Sequence, residues 1–165
     1  MVPVIIVMVK APIAGFVKTR LTPVLSQSDA ASLAVCFVKD IVNSVQRMIP
    51  NVVIAFTPYE GLAVLERSLP KQLLWFAQKG NDLGERLNSA ITHAHDLGFN
   101  PIIVLGADSP TIPASFIETA LNVLLRGETD VVLGPTTDGG YYLIGLNGLQ
   151  PELFQNISWS SPFTF

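Results

Sequence analysis

Charge is scarce in this chain. Only 14% of its 165 residues are charged, with 10 Lys and Arg against 13 Asp and Glu and a formal net charge of −3. Such a surface does not draw phosphate backbones or anionic lipid over a broad face, which argues against a nucleic-acid polymer as partner and makes any local cluster of cations informative. There is a single cysteine, Cys36, so no intramolecular disulfide forms and a reducing, cytoplasmic setting is the expectation. Lying in "LAVCFV", Cys36 reads as core filling. Two histidines are present, His93 and His95. Two positions apart on a helix they diverge, which argues against a shared metal. The leading apolar run "VPVIIVMV" ends at Lys10, too early for a membrane span and with no basic segment before it, so neither anchor nor signal peptide is expected. Neither the "GxxxxGK[ST]" phosphate loop nor the "GxGxxG" dinucleotide fingerprint occurs, and no Ser/His/Asp triad stands out.

Hydrophobic residues, by contrast, make up 49% of the chain, enough for a substantial core in one domain spanning 1–165. Their pattern alternates between two kinds of element. "VPVIIVMV" has no polar alternation and suits a strand covered on both faces. "SQSDAASLAVCFVKDIVNSVQRM" has helical spacing, with Leu33, Phe37, Ile41, Val45 and Met48 on one predicted face and Ser26 with Asp29 as a capping pair. Strands follow in "NVVIAFTP" and "QLLWFAQ", separated by the short helix "GLAVLERSL". In the third strand, Trp75 and Phe76 read as core. "DLGERLNSAITHAHDLG" is a helix closed by Gly98. "NPIIVLGADSP" supplies another strand, "PASFIETALNVLLRG" a helix from near Pro113, and "DVVLGP" and "YYLIGL" two strands flanking the turn "TTDGG". The alternation predicts a three-layer α/β domain on a mainly parallel, mixed sheet, with ligands at the carboxyl ends of the strands.

Four polar motifs fall at those ends. In "KAPIAGFVKTRL", Gly15 permits close backbone approach, while Lys18 and Arg20 offer a point charge and a planar fork for phosphate oxygens. A solvated basic loop is the plainer alternative. In "GNDLGERL", Asp82 caps a helix, Gly84 permits close packing, and Arg86 either faces a ligand or pairs with Glu85 or another acid. In "VLGADSPTIP", Asp108 stands among small residues, where a carboxylate takes Mg²⁺ or Mn²⁺ together with a diphosphate, or serves only as a turn residue. In "GPTTDGGYYLIG", Asp138, Gly139 and Gly140 form either a plain hairpin turn or a wall beside a sugar or acceptor. Asp138 is the candidate base. Tyr141 and Tyr142 point to opposite faces of a strand, and Tyr141 is the one expected at the ligand.

Together, "KAPIAGFVKTRL", "GNDLGERL", "GADSPTI", "DGGYYLIG" and "PELFQNISWSS" resemble the bacterial family of uncharacterised glycosyltransferase-A-fold proteins, the selenodomain-associated or arsenosugar-type transferases. The resemblance implies a nucleotide-diphospho-sugar transferase fold, shared with the guanylyltransferases of molybdenum cofactor assembly. It implies transfer of a sugar from a nucleoside-diphosphate donor with Mg²⁺ or Mn²⁺. A pyrophosphate-releasing nucleotidyltransferase and a non-catalytic nucleotide-binding remnant are the alternatives. By motif, Lys10, Gly15, Lys18 and Arg20 would surround the nucleotide phosphates and Asp108 would hold the metal. The family's aspartate-any-aspartate triplet is reduced here to "GADSP", whose Ala107 leaves Asp108 without a carboxylate neighbour in its loop. The resemblance also leads one to expect a further strand and helix after Trp159, Ser160 and Ser161, where this sequence stops at "SPFTF". The expectation is truncation, or completion of the site by a neighbouring subunit or chain, with the apolar "FTF" as a surface for a homo-oligomer.

Overall fold

A computed structural model of the chain describes residues 1–157 and Trp159. Its elements follow the alternation of the sequence: β1 (Val4–Lys10), α1 (Gln27–Gln46), β2 (Val52–Thr57), α2 (Leu62–Ser68), β3 (Leu74–Ala77), α3 (Leu83–Asp96), β4 (Ile102–Gly106), α4 (Ala114–Leu125), β5 (Val131–Pro135) and β6 (Tyr141–Leu146). Short 3₁₀ turns at Thr19–Leu21, Tyr59–Gly61 and Pro151–Phe154 complete the described chain. Helix starts obey local chemistry. The Ser26 hydroxyl accepts from the Asp29 amide at the head of α1, and the Asp82 carboxylate accepts from the Glu85 amide at the head of α3. At the other end of α3, Gly98 adopts a φ of +87°, the left-handed stop that a glycine permits.

Among the described residues the strands form one six-stranded sheet in the order β3-β2-β1-β4-β6-β5. β1, β2, β3 and β4 pair in parallel, and β6 runs antiparallel between β4 and β5. β1 is the centre: Ile5 faces Val52 on one side and Ile103 on the other, and Val4, Ile5, Ile6, Val7 and Val9 are wholly buried. Two apolar layers explain that burial. One packs β-strand residues such as Ile5, Val7 and Ile103 under Val38, Ile41 and Val45 of α1, Leu65 of α2 and Leu124 of α4. The other packs Val4, Ile6, Ile102 and Ile144 under Leu87, Ile91 and Ala94 of α3, with Phe154 beside them. Each fully buried Ile or Leu in these layers contributes about 1.5–3 kcal/mol relative to exposure, so the fold rests on the sandwich rather than on its few ion pairs. No described helix is long and apolar enough to cross a membrane.

Two expectations about α1 are corrected. Its buried face is Ala30, Ala31, Ala34, Val38, Ile41, Val42 and Val45, while Leu33, Phe37 and Met48 are only half-buried. Cys36 is exposed, not core. It lies two residues before Val38, about 200° around the helix, so burying Val38 turns Cys36 outward. Trp75 and Phe76 divide their roles: Phe76 is buried and stacks on His93 with ring centroids 4.5 Å apart, while Trp75 is half-buried against the other layer.

Candidate active site

The order of the strands places a reversal of winding between β1 and β4, whose carboxyl ends lie side by side: Met8 pairs with Gly106, and the Ala107 amide donates to the Met8 carbonyl at 3.1 Å. Ligands of open α/β sheets bind outside such a reversal. Two loops lead away from it, one carrying Lys18 and the other Asp108.

The first loop is anchored before it reaches its cations. The Ala11 amide donates to the Thr57 carbonyl at 2.7 Å, and Ala11 is packed so closely on Gly61 that a side chain at Gly61 would collide with its methyl group. Gly15 turns the chain at φ +82°, which is the local need for glycine there. Val17 is then buried against Ala31 and Ala34 of α1. Lys18 follows in left-handed conformation, φ 51° and ψ 34°. Its Nζ donates to Asp108 Oδ1 at 2.8 Å and lies 4.4 Å from the centroid of the Phe37 ring. The Lys18 side chain is 17% exposed and that of Asp108 is 87% exposed. Arg20, two residues on, is exposed, and Lys10 at the end of β1 is exposed as well. By strand alternation Lys10 shares the α3-side face of Met8, so Lys10 and Lys18 flank the end of β1 from opposite faces.

Asp108 stands on the turn after β4. A Cβ added at Gly106 would meet nothing within 4 Å, so the space beside the turn is open. Among the described residues no three His, Cys, Asp or Glu side chains gather as a metal cage. One exposed carboxylate with one oxygen engaged by Lys18 does, however, fit a hard cation that keeps several waters and takes its remaining ligands from substrate phosphates. Asp108 is the residue here that could hold Mg²⁺ or Mn²⁺, through the oxygen that Lys18 leaves free.

On the α3 side, a cleft of about 100 Å³ is lined by Met8, Leu83, Leu87, Gly106, Tyr141 and Ile144, among others. Tyr141 packs with the α3 layer and Tyr142 with the opposite one, the separation that strand alternation requires. Burial pushes the Tyr141 phenol up to about 12, so it remains protonated through neutral pH. Tyr142 lies over Gly134, where any side chain would meet its ring.

The hairpin turn is self-contained. Thr136 Oγ1 donates to Asp138 Oδ1, and the Gly140 amide donates to Thr136 Oγ1 at 3.1 Å and to Asp138 Oδ1 at 3.4 Å. The Thr136 hydroxyl first, then the Gly140 amide, hold the Asp138 carboxyl below the usual carboxylate range. Gly139 turns the chain at φ +82°. No hydrogen bond among the described residues joins Asp138 to the Lys18–Asp108 pair. The loop before α3 is likewise braced from within. Glu85 Oε2 accepts from the Asn81 amide at 2.7 Å, and Arg86 Nε donates to the Gly80 carbonyl at 3.0 Å. Arg86 is thus tied to the loop backbone and not to Glu85, whose Oε2 takes both the amide and the side chain of Asn81. A side chain at Gly84 would collide with the indole of Trp159 and with the Phe154 carbonyl, the close packing expected of this glycine.

Two residues not expected at the site belong to this region. Phe37 reads from helical spacing as part of the core face of α1, and nothing local to the helix distinguishes a platform for a loop from a core residue. Gln78 follows β3, and its Nε2 donates to the Ala55 carbonyl at 2.7 Å and reaches the Val9 carbonyl at 3.5 Å, tying the exit of β3 across β2 to β1. A lone amide at the end of an apolar strand was the available signal. Of "PELFQNISWSS", Pro151–Phe154 form a 3₁₀ turn, and Ser158, Ser160, Ser161 and the terminal "FTF" lie outside the described residues.

The pattern of the family described as "Uncharacterized protein conserved in bacteria (DUF2064)" matches residues 41–161. The chain belongs to that family. It is 35% identical to a crystal structure from Desulfovibrio desulfuricans G20 assigned as a nucleotide-diphospho-sugar transferase, with a TM-score of 0.88 over 97% of this chain and 71% of that one. It is 27% identical over 142 residues to the 2-phospho-L-lactate guanylyltransferase of Methanosphaera stadtmanae, covering 82% of this chain and 59% of that protein. The chain therefore spans less than two thirds of this curated relative's length. A cytidylyltransferase from Leptospira borgpetersenii shares the fold at 17% identity, with a TM-score of 0.61 over 93% of this chain and 63% of that one. The chain has a nucleotide-diphospho-sugar transferase fold with nucleotidyltransferases among its relatives.

Proposed function

We propose that this chain transfers a sugar from a nucleoside-diphosphate donor bound at the crevice between β1 and β4. The observation that carries the reading is the Lys18–Asp108 pair. It joins, at 2.8 Å, the loops leaving the two strands that flank the winding reversal. A cation held beside an exposed carboxylate at that point suits a phosphate group whose negative charge is shared with a metal. As the bond to the sugar breaks, charge develops on the departing diphosphate. Lys18 meets it as a compact point charge and Arg20 as a planar fork. Lys10 and Gly15 border the same loop. Mg²⁺ or Mn²⁺ held by Asp108 together with the diphosphate would supply further neutralisation of the leaving group. Asp138, held through Oδ1 by Thr136 and Gly140, is the base of this reading: it accepts the hydrogen bond of an acceptor hydroxyl and, as a weak base with a lowered carboxyl, takes the proton only as the new bond to the sugar forms. On this reading the neutral phenol of Tyr141, which lines the cleft, donates to a substrate oxygen, and Gly139, Gly140 and Arg86 are assigned to substrate contacts.

A second reading is nucleotidyl transfer, favoured by the likeness to a guanylyltransferase. There the α-phosphate of a nucleoside triphosphate is attacked and pyrophosphate leaves. The single Gly15 in the β1 loop favours the first reading, since cradling a triphosphate on backbone amides calls for a more glycine-rich loop. Melting scans in Mg²⁺ separate the two. A ligand at a hundredfold excess over Kd stabilises the fold by about 2.7 kcal/mol, a shift of several degrees for a chain of this size. A nucleoside diphosphate or its sugar conjugate is expected to shift the melt more than the matching triphosphate. The reverse order, with pyrophosphate release on adding a phosphorylated acceptor, would establish nucleotidyl transfer instead.

A further inference from the structure

We infer that Phe37 is the positioning residue of Lys18: its ring holds the ammonium at the β1–β4 crevice after Asp108 has turned to another partner. The inference rests on the proposed function for its phosphate role, but its geometric part stands alone. Ala31, Ala34 and Phe37 follow one another at intervals of three and so form a strip along one side of α1. The two alanines are small enough to seat Val17, and the aromatic residue then receives the side chain of the next residue, Lys18. Lys18 adopts the left-handed backbone conformation that residues with a Cβ rarely hold, so its direction is imposed by the loop's seat on the helix. Phe37 is absent from both large core clusters, and a half-buried aromatic ring outside the core is free to serve the loop.

Magnitudes decide which holder lasts. The ion pair ends on a carboxylate that is 87% exposed, where water weakens the attraction and a cation or phosphate competes for both groups. The ring lies against a side chain that is only 17% exposed, with Nζ 4.4 Å from the ring centroid, and partial desolvation strengthens a cation–π contact. A ring face also leaves the outer hydrogens of the ammonium free for phosphate oxygens, which a carboxylate in the same place would repel.

The test has an arm that needs no nucleotide. A ring above the ammonium shifts the Lys18 ε-methylene protons upfield in NMR. This shift is expected in the wild type, retained in Asp108→Asn and Phe37→Tyr, and lost in Phe37→Leu. Its loss in Asp108→Asn, or its survival in Phe37→Leu, overturns the inference. The second arm is calorimetry with a nucleoside diphosphate and Mg²⁺. Phe37→Leu is expected to weaken binding about three- to tenfold, with Phe37→Tyr close to wild type. In a Lys18→Ala background, Phe37→Leu is expected to add nothing. Equal weakening in both backgrounds marks a packing effect and overturns the positioning role. If the wild type binds no nucleoside diphosphate while the NMR signature behaves as expected, the proposed function fails and the hold of Phe37 on Lys18 stands.

Discussion

Replacing Lys18 with methionine separates what the Lys18–Asp108 pair does for the fold from what it does for a ligand. Methionine keeps the apolar stem and places a thioether over the Phe37 ring, itself a favourable contact. The fold loses one ion pair whose carboxylate is 87% exposed. Pairs of that kind are worth about 0.2–1 kcal/mol once side-chain entropy and screening are counted, so the melting temperature of this 165-residue chain should fall by no more than about 4 °C. The ligand, in contrast, loses a charge-assisted hydrogen bond to phosphate, worth about 1.5–3 kcal/mol, or roughly a ten- to hundredfold rise in Kd. Calorimetry with a nucleoside diphosphate in Mg²⁺, beside a melting scan of the same preparations, reads both numbers. Affinity within twofold of wild type would refute the phosphate role. A fall of ten degrees or more in the melt would show that Lys18 is a structural residue and that the exposed-pair estimate is wrong.

Arg20→Ala is expected to cost about 1.5–3 kcal/mol of nucleotide affinity by calorimetry while leaving the melt within a degree or two, because Arg20 is exposed. Asp108→Asn keeps shape and removes charge. Titrations with Mn²⁺ and with chelator should show its nucleotide binding losing the metal dependence of the wild type, and unchanged dependence would leave Asp108 a turn residue. Asp138 has a lowered folded value, so the stabilisation from its bonds to Thr136 and Gly140 is present above the ordinary carboxylate range and is lost as pH falls through that lowered value. Carbon-detected NMR titration should place its midpoint below the ordinary 3.8, and Thr136→Val should move it back up. An unmoved midpoint would remove Thr136 as the cause.

Much of the fold was legible because its signals are local. Apolar runs of five to seven residues without polar alternation mark strands buried on both faces, and β1, β2 and β4 are such strands. Ser26 and Asp82 announced helix starts, and Gly98 a helix stop, through bonds and dihedrals that involve only neighbouring residues. The polar motifs at strand ends were legible for the same reason: a buried strand leaves only its ends for chemistry. In α1 the local signal failed. Leu33 and Phe37 carry as much apolar surface as Val38 and Val42, and helical periodicity alone does not say which of two adjacent apolar stripes the sheet will cover.

The sequence by itself determined the kinds of element, their order and the loops that carry Lys18, Asp108 and Asp138, since these follow from propensity, periodicity and capping within a few residues. Only the tertiary structure decided which loops meet. Lys18 and Asp108 are 90 positions apart, and they touch because β4 pairs directly with β1, leaving β2 and β3 on the other side. The same packing turns Cys36 to solvent, brings Phe37 under the Lys18 ammonium and ties Arg86 to the Gly80 carbonyl. Such contacts depend on the orientation of whole elements about a shared core, a property of the packed layers that no short stretch of chain contains.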